Sequence, residues 1–180
     1  MKANAGRGFA AWVGGVCCAA CALVAGCGPF WVDPYITVKD SPLNWVEIHY
    51  YNLNRKPIRR TAIYLSGAGY VELRKGTSEL VSNDFAKQVD SETWGDIKTQ
   101  RMAVDPAHVK DLMQNLVNYG VLDREKTGRG SSKSEEDRFI AVKANISANI
   151  YSEQVNIFEA DPDLAEQLLD VVREFDVPTL

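Results

Sequence analysis

The fold of this chain is decided by residues 44–75, NWVEIHYYNLNRKPIRRTAIYLSGAGYVELRK. From Asn44 to Tyr51 successive side chains alternate in character, which is the two-residue period of a strand with two different faces. Two further strand-like runs, Ile58–Leu65 and Tyr70–Lys75, bracket Ser66-Gly67-Ala68-Gly69, whose small residues suit a hairpin turn. This stretch therefore predicts three consecutive antiparallel strands.

Two Asp-Pro pairs mark the starts of two helices. Asp105-Pro106 follows a predicted strand from Trp94 to Val104. Aspartate caps free amide groups and proline fits the first helical position, so this pair opens a helix. Asp161-Pro162 repeats the signal after a second predicted hairpin, formed by Phe139–Ile146 and Ile150–Phe158. Both helices carry apolar residues at the three-and-four spacing of a buried face: Val109, Leu112, Met113, Leu116 and Val117 in the first, and Leu164, Leu168, Leu169, Val172 and Phe175 in the second.

The predicted fold class is α+β, a single antiparallel sheet built from hairpins with two amphipathic helices packed on it. The order of hairpin, Asp-Pro and helix occurs twice along the chain. It reflects either an internal duplication or the common way of placing a helix on an antiparallel sheet. We favour the second explanation because the side chains outside the two caps do not match.

The composition restricts the class of protein. The chain has 180 residues, of which 46% are hydrophobic and 24% charged, as expected of one globular domain. Twenty basic against 24 acidic residues give a net charge of −4, which excludes a nucleic-acid binder driven by bulk charge. All four cysteines lie within the first 27 residues, so the rest of the chain has no disulfide framework and no thiolate metal site.

The N-terminus has the layout of a secretory signal. Lys2 and Arg7 precede an apolar run over residues 9–24, which ends in the small residues before Cys27. The sequence Leu23-Val24-Ala25-Gly26-Cys27 resembles the lipobox of bacterial lipoproteins. That resemblance implies cleavage between Gly26 and Cys27 and attachment of lipid to the Cys27 thiol.

The expected organisation is a cleaved signal peptide over residues 1–26, a lipidated tether over residues 27–43 and one domain over residues 44–180. The implied location is the cell envelope, and Gly28 resembles an outer-membrane sorting signal if the host is Gram-negative. Two alternatives stay open. Ala20-Cys21-Ala22 also fits an ordinary cleavage site that would release a soluble protein, and the apolar run also fits a short uncut anchor.

The sequence offers little for catalysis. The two histidines, His49 and His108, have no metal-binding spacing. Ser66 lacks the leading glycine of a nucleophile elbow and precedes a predicted strand, where that motif requires a helix. The glycine-rich stretch Gly128–Ser134 lacks the Gly-Lys-Ser/Thr of a phosphate-binding loop. We therefore expect no enzyme, no cofactor and no metal.

Two surfaces are candidates for binding. One is the strand face formed by Trp45, Glu47, His49 and Tyr51, whose aromatic and polar groups suit contact with a peptide or glycan, or an edge strand open to augmentation. Coverage of this face by the N-terminal segment is the alternative. The other is the basic run Arg55–Arg60, which suits anionic lipid headgroups, although a solvated hairpin end is the simpler interpretation. The polar stretch Asp123–Arg138 is expected to be a loop.

The order of elements over residues 58–176 resembles the emfourins, small bacterial inhibitors of thermolysin-type metalloproteases, and related lipoprotein domains. The residues that carry this resemblance are the hairpin Ser66–Tyr70, the helix end Leu116–Val121, and Asp161-Pro162 with its leucines. The resemblance implies protease inhibition but transfers no inhibitory residue. The expected function is accordingly a non-catalytic binding or assembly role in the envelope, with a protein partner, and the alternative is metalloprotease inhibition.

Overall fold

The computed structural model describes residues 36–78, 94–123, 138–147 and 150–176. Every described residue belongs to one compact unit. The expected signal peptide, Cys27 and the polar stretch after Asp123 lie outside the described residues. Those expectations stay predictions.

The described part of the domain is built on one six-stranded antiparallel sheet with strand order β4-β3-β2-β1-β5-β6. The strands are β1 (Trp45–Asn52), β2 (Ile58–Ser66), β3 (Tyr70–Ser78), β4 (Trp94–Ala103), β5 (Arg138–Ile146) and β6 (Ile150–Val155). The helices are α1 (Pro106–Asn118), the single turn α2 (Ile157–Ala160) and α3 (Pro162–Phe175). The α+β class with one antiparallel sheet is therefore confirmed.

The position of β1 overturns one expectation. This strand pairs with β2 on one side and with β5 on the other, so it lies at the centre of the sheet. Its backbone groups are used by two neighbours, and the prediction of an edge strand open to augmentation is wrong. A sequence pattern of period two reports the faces of a strand, whereas its position in the sheet depends on distant partners.

The second hairpin is shorter than predicted. The strand expected over Ile150–Phe158 ends at Val155, because Asn156 adopts a left-handed backbone conformation with φ of 50°. Asparagine visits this conformation more readily than most residues, and it breaks the extended chain. Residues Ile157 and Phe158 then form the buried side of α2.

Both long helices pack on one face of the sheet. Val46 and Ile48 of β1 share a core cluster there with the apolar faces of α1 and α3. The caps are as predicted: an Asp105 oxygen accepts from the amide of Ala107 at 2.9 Å, and an Asp161 oxygen accepts from the amide of Leu164 at 3.2 Å. Each long helix begins at its aspartate cap, and the apolar side of each helix is the side that packs on the sheet.

The segment before β1 belongs to the domain, which corrects the expected boundary at residue 44. Val38 is only 1% exposed and lies in the main core. The side chain of Gln114 in α1 accepts from the Val38 amide at 2.8 Å and donates to the Ile36 carbonyl at 3.0 Å. The expected tether over residues 27–43 is therefore shorter, since its last residues are bound to the fold.

Among the described residues, no helix has the length and apolar character needed to cross a membrane.

Candidate functional site

The face of the sheet opposite the long helices, here called the open face, carries the candidate site. Strand pairing aligns its side chains in rows across the sheet. One row runs Arg101, Glu72, Tyr64, Glu47, Lys143 and Glu153 from β4 to β6. A neighbouring row runs Tyr70, Ser66, Trp45, Asn145 and Tyr151. Aromatic and charged side chains from all six strands are thus brought to one surface.

Four aromatic side chains form an aromatic row near one end of the open face: Trp45, Tyr64, Tyr70 and Tyr151. The ring centroids of Trp45 and Tyr64 are 6.0 Å apart and those of Tyr64 and Tyr70 are 6.1 Å apart, with nearly parallel planes. Trp45 meets Tyr151 edge-on at 6.5 Å. All four side chains are half-buried, so part of each faces solvent.

Cations cover both ends of the aromatic row. The guanidinium carbon of Arg101 lies 3.6 Å from the centroid of the Tyr70 ring, and the Lys143 ammonium lies 5.2 Å from that of Tyr151. The Tyr151 hydroxyl also donates to Glu153 at 2.9 Å. These contacts hold the rings in place, and a partner would therefore meet a surface that is already ordered.

A cluster of charged groups, here called the polar cluster, lies beside the aromatic row: Glu47, His49, Arg60 and Arg74. An Arg60 nitrogen lies 2.9 Å from Nδ1 of His49, and an Arg74 nitrogen lies 2.8 Å from Oε1 of Glu47. Oε1 of Glu47 is also 3.1 Å from Nε2 of His49. Arginine only donates, so Nδ1 of His49 accepts and Nε2 carries the proton that faces Glu47. The geometry therefore requires a neutral imidazole.

Small neighbours make room for this histidine. His49 pairs with Ala62 of β2 on one side and with Ala141 of β5 on the other. Neither alanine side chain extends beyond its Cβ, so the imidazole lies within the sheet surface with no exposed area. The Arg60 side chain reaches the imidazole diagonally, because Arg60 pairs with Tyr51, which lies two positions after His49 in β1.

Burial sets the protonation of the polar cluster. It lowers the pKa of His49 to about 4, although the adjacent Glu47 acts in the opposite direction. Burial raises the pKa of Glu47, but its bonds to His49 and Arg74 outweigh this and hold that pKa below its ordinary value. Burial also lowers the pKa of Arg60 to about 10. At neutral pH the cluster thus holds a neutral imidazole between a carboxylate and a guanidinium.

Arg60 is enclosed by aromatic rings on two sides. Its guanidinium carbon is 3.8 Å from the centroid of the Trp94 ring and 5.1 Å from that of Tyr51. Pairing between β3 and β4 shifts register between Lys75 and Thr77, close to Asp96, whose φ is 52°. Such a bulge adds one residue to a strand and reverses its alternation from that point. The bulge therefore turns Trp94 toward the open face, where its ring covers Arg60.

The predicted binding residues divide into two pairs. Trp45 and Glu47 are half-buried on the open face, and their role in binding stays a prediction. His49 and Tyr51 are fully buried, so the expectation that they contact a partner is wrong. The physical reason is that Trp94 and Arg60 cover this half of the strand.

His108 and the exposed residues of the basic run lie away from the polar cluster. His108 lies on α1 and contacts Glu174 at 2.5 Å, so it is not part of the polar cluster. Of the basic run, Arg55, Lys56 and Arg59 are exposed at the β1–β2 hairpin, whereas Arg60 is buried. The hairpin therefore presents fewer cations than its sequence suggests.

Sequence reasoning missed three of the four members of the aromatic row, Tyr64, Tyr70 and Tyr151. The alternation within each strand shows that each tyrosine shares a strand face with polar residues. It does not show that these three strand faces lie on the same side of the sheet. That information lies in the register between strands. Trp94 was missed because a bulge cannot be read from the period-two pattern.

Within the described ranges, no group of three or more His, Cys, Asp or Glu side chains could hold a metal ion. The expectations of no metal and no cofactor stay predictions. No protein-family model and no curated protein matches the chain.

Proposed function

We propose that this protein is a lipid-anchored lipoprotein of the cell envelope whose domain binds another protein through the aromatic row, without catalysis. Lipid on Cys27 holds it to the membrane, which is the outer membrane in a Gram-negative host. The observation that carries the proposal is the stack of Trp45, Tyr64 and Tyr70 on the sheet face opposite the long helices.

The composition of the row favours a protein partner. Tryptophan, tyrosine and arginine are the residues most enriched among those that dominate the energy of protein interfaces. The two stacked pairs and Arg101 together occupy five ring faces of Trp45, Tyr64 and Tyr70. A sugar needs an uncovered ring face for stacking, whereas a protein can contact ring edges and phenol hydroxyls. The row therefore suits a protein better than a glycan.

The charges around the row favour a defined partner. Glu47, Glu72 and Glu153 lie in one row across the sheet with Arg101 and Lys143. A fixed pattern of mixed charge suppresses partners with the wrong pattern and fixes the register of the right one. A surface of mixed sign is less suited to nucleic acid, and we propose no nucleic-acid partner.

The polar cluster supports a structural role more than a catalytic one. His49 is fully buried, and both of its ring nitrogens face other side chains, Arg60 and Glu47. A general base must reach a substrate proton within hydrogen-bond distance. The cluster instead orders the centre of the sheet beside the aromatic row that the partner would contact.

The test is affinity capture from envelope extract with the purified mature protein, followed by measurement of direct binding to each recovered protein. Trp45→Ala and Tyr70→Ala are expected to lose the partner. Tyr119→Ala is the matched control, because Tyr119 is an exposed aromatic residue on the C-terminal side of α1. Circular dichroism checks that all three variants are folded.

Equal recovery by all variants would contradict the proposed site. Recovery of a metalloprotease that the protein blocks at stoichiometric amounts would favour the inhibitor function that the emfourin resemblance implies. Mass spectrometry of the mature N-terminus tests the lipid on Cys27 separately.

A further inference from the structure

The described domain has an exposed apolar side chain close to the point where the chain from Cys27 enters. Leu43 is 72% exposed, the highest value among the exposed large hydrophobic side chains of the described residues. It lies in the turn Ser41-Pro42-Leu43-Asn44, here called the Leu43 turn, and Pro42 beside it is also exposed. One exposed leucine is unremarkable on most surfaces. Leu43 differs from an ordinary exposed leucine in two respects: hydrogen bonds fix the turn that carries it, and the turn lies close in sequence to Cys27.

The Leu43 turn is held by hydrogen bonds that keep Leu43 pointing outward. The amide of Asn44 donates to the Ser41 carbonyl at 3.1 Å, and the amide of Leu43 donates to the Ser41 hydroxyl at 3.2 Å. The buried Asn44 side chain donates to the Lys39 carbonyl at 2.7 Å and accepts from the Ser147 amide at 3.0 Å. The leucine thus cannot fold back on the domain without breaking this network.

The neighbouring hairpin is fitted closely against the turn. The amide of Gly67 donates to the carbonyl of Asn44 at 2.8 Å. A Cβ at Gly67 would lie 2.2 Å from the Ser41 carbonyl oxygen, so only glycine permits this approach. The β2–β3 hairpin, with exposed Ala68 at its tip, therefore lies beside Leu43 at the same end of the sheet.

The length of chain between Cys27 and the described domain limits how far the lipid anchor of the proposed function can lie from this end. Ile36 is bonded to α1 through Gln114. Ile36 is nine positions after Cys27, and a fully extended chain of that length spans about 30 Å at most. A lipid on Cys27 thus keeps the Leu43 turn near the membrane surface at a high effective concentration, where a contact too weak to recruit a soluble domain is sufficient to orient it.

We infer that the Leu43 turn docks on the bilayer that holds the lipid anchor, with Leu43 inserted at the lipid interface. This inference rests on the proposed anchoring at Cys27. Apolar side chains partition into the membrane interface, and Leu43 is the most exposed of them on the described domain. The strands then point away from the membrane, the β1–β2 hairpin with Arg55 and Lys56 lies at the far end, and the aromatic row faces sideways close to the lipid.

The experiment uses the mature lipidated protein in vesicles of phosphatidylethanolamine and phosphatidylglycerol that contain a nitroxide-labelled lipid. The sequence has no cysteine after Cys27, so one introduced cysteine is the single free thiol of the lipidated chain. A fluorophore on Ala68→Cys reports on the end with Leu43. The same fluorophore on Asn54→Cys reports on the exposed β1–β2 hairpin and serves as the matched control.

We expect quenching of the fluorophore at position 68 several-fold stronger than at position 54, and we expect Leu43→Asp to reduce the quenching at position 68 to the level at position 54. Leu43 is exposed, so this substitution disturbs no core contact, and an unchanged circular dichroism spectrum checks the fold.

Equal quenching at the two positions in a lipidated sample would overturn the inference and leave the anchor intact. Quenching at position 68 that Leu43→Asp does not change would also overturn it. If the fluorophore at position 68 is shielded from solvent in the absence of vesicles, a second copy of the protein covers the turn. This result would also contradict the inference. Absence of lipid on Cys27, seen by mass spectrometry, would remove the anchor of the proposed function and this inference with it.

Discussion

Arg60 donates to Nδ1 of His49 across 2.9 Å, and both side chains are fully buried on the open face. The two residues are 11 apart in the chain and come from adjacent strands. This bond allows only a neutral imidazole, because a protonated Nδ1 would direct its hydrogen at the guanidinium. The polar cluster is therefore sensitive to acid, although it lies at the centre of the sheet.

The first prediction concerns pH. The pKa of His49 is about 4 in the folded protein and about 6.5 in the unfolded chain. Between these values the unfolded chain binds a proton that the folded protein does not, so stability is full above pH 6.5 and falls as the pH drops toward 4. The expected loss is about 3 kcal/mol. Urea unfolding at pH 7.5, 5.5 and 4 measures it.

The test compares the slope of stability against pH in the wild type with that in a variant that lacks His49. His49→Gln should flatten the slope between pH 6.5 and 4, and an unchanged slope in that variant would refute the assignment to His49.

The second prediction concerns Arg60. Arg60→Ala removes the donor to His49 and leaves a space between Trp94 and Tyr51. A buried acceptor left without its donor costs about 1–3 kcal/mol, and the space left between the two rings adds to this loss. Guanidinium unfolding compares it with Arg59→Ala, whose exposed side chain should change stability by no more than about 0.5 kcal/mol. Equal effects of the two substitutions would be inconsistent with the enclosed position of Arg60.

The third prediction concerns the helix caps. Asp105→Ala and Asp161→Ala each remove an oxygen that accepts from a first-turn amide. Each should cost about 1 kcal/mol in the free energy of unfolding. Asp111→Ala in the middle of α1 is the control, because this exposed carboxylate caps no amide. A loss of the same size at Asp111 would show that charge, and not capping, is responsible.

The fourth prediction concerns the segment before β1. Gln114→Ala removes the two bonds that tie Ile36 and Val38 to α1. We expect faster hydrogen exchange at the Val38 amide, with little change at the centre of β1. Asn115→Ala, an exposed neighbour on the same helix, should leave exchange at Val38 unchanged. Slow exchange at Val38 in the Gln114 variant would mean that core packing alone holds the segment.

The main elements of the fold could be predicted because their signals are local. Asp105 and Asp161 stand within three residues of the amides they cap, and the turn at Gly69, with φ of 84°, depends on its own lack of a Cβ. The end of β6 was predicted three residues too late. Ile157 and Phe158 are apolar, and a buried strand and a buried helical turn both accept apolar residues, so the sequence did not distinguish the two.

The candidate site was predicted less completely. Trp45 and Glu47 lie on the expected face, but the burial of His49 depends on side chains contributed by β2 and β4. No pattern within β1 contains that information. The central position of β1 was missed for the same reason, since one of its neighbours, β5, lies more than 80 residues further along the chain.

The sequence by itself determined the antiparallel strands, the two capped helices and the side of each that is apolar, because these depend on residues a few positions apart. The tertiary structure decided the order of the strands, the reversal at the bulge near Asp96, and the meeting of Trp45 with Tyr151 across the sheet. These features depend on the register between strands that are distant in the chain. Register is set by the packing of the whole sheet against its helices, so no local pattern records it.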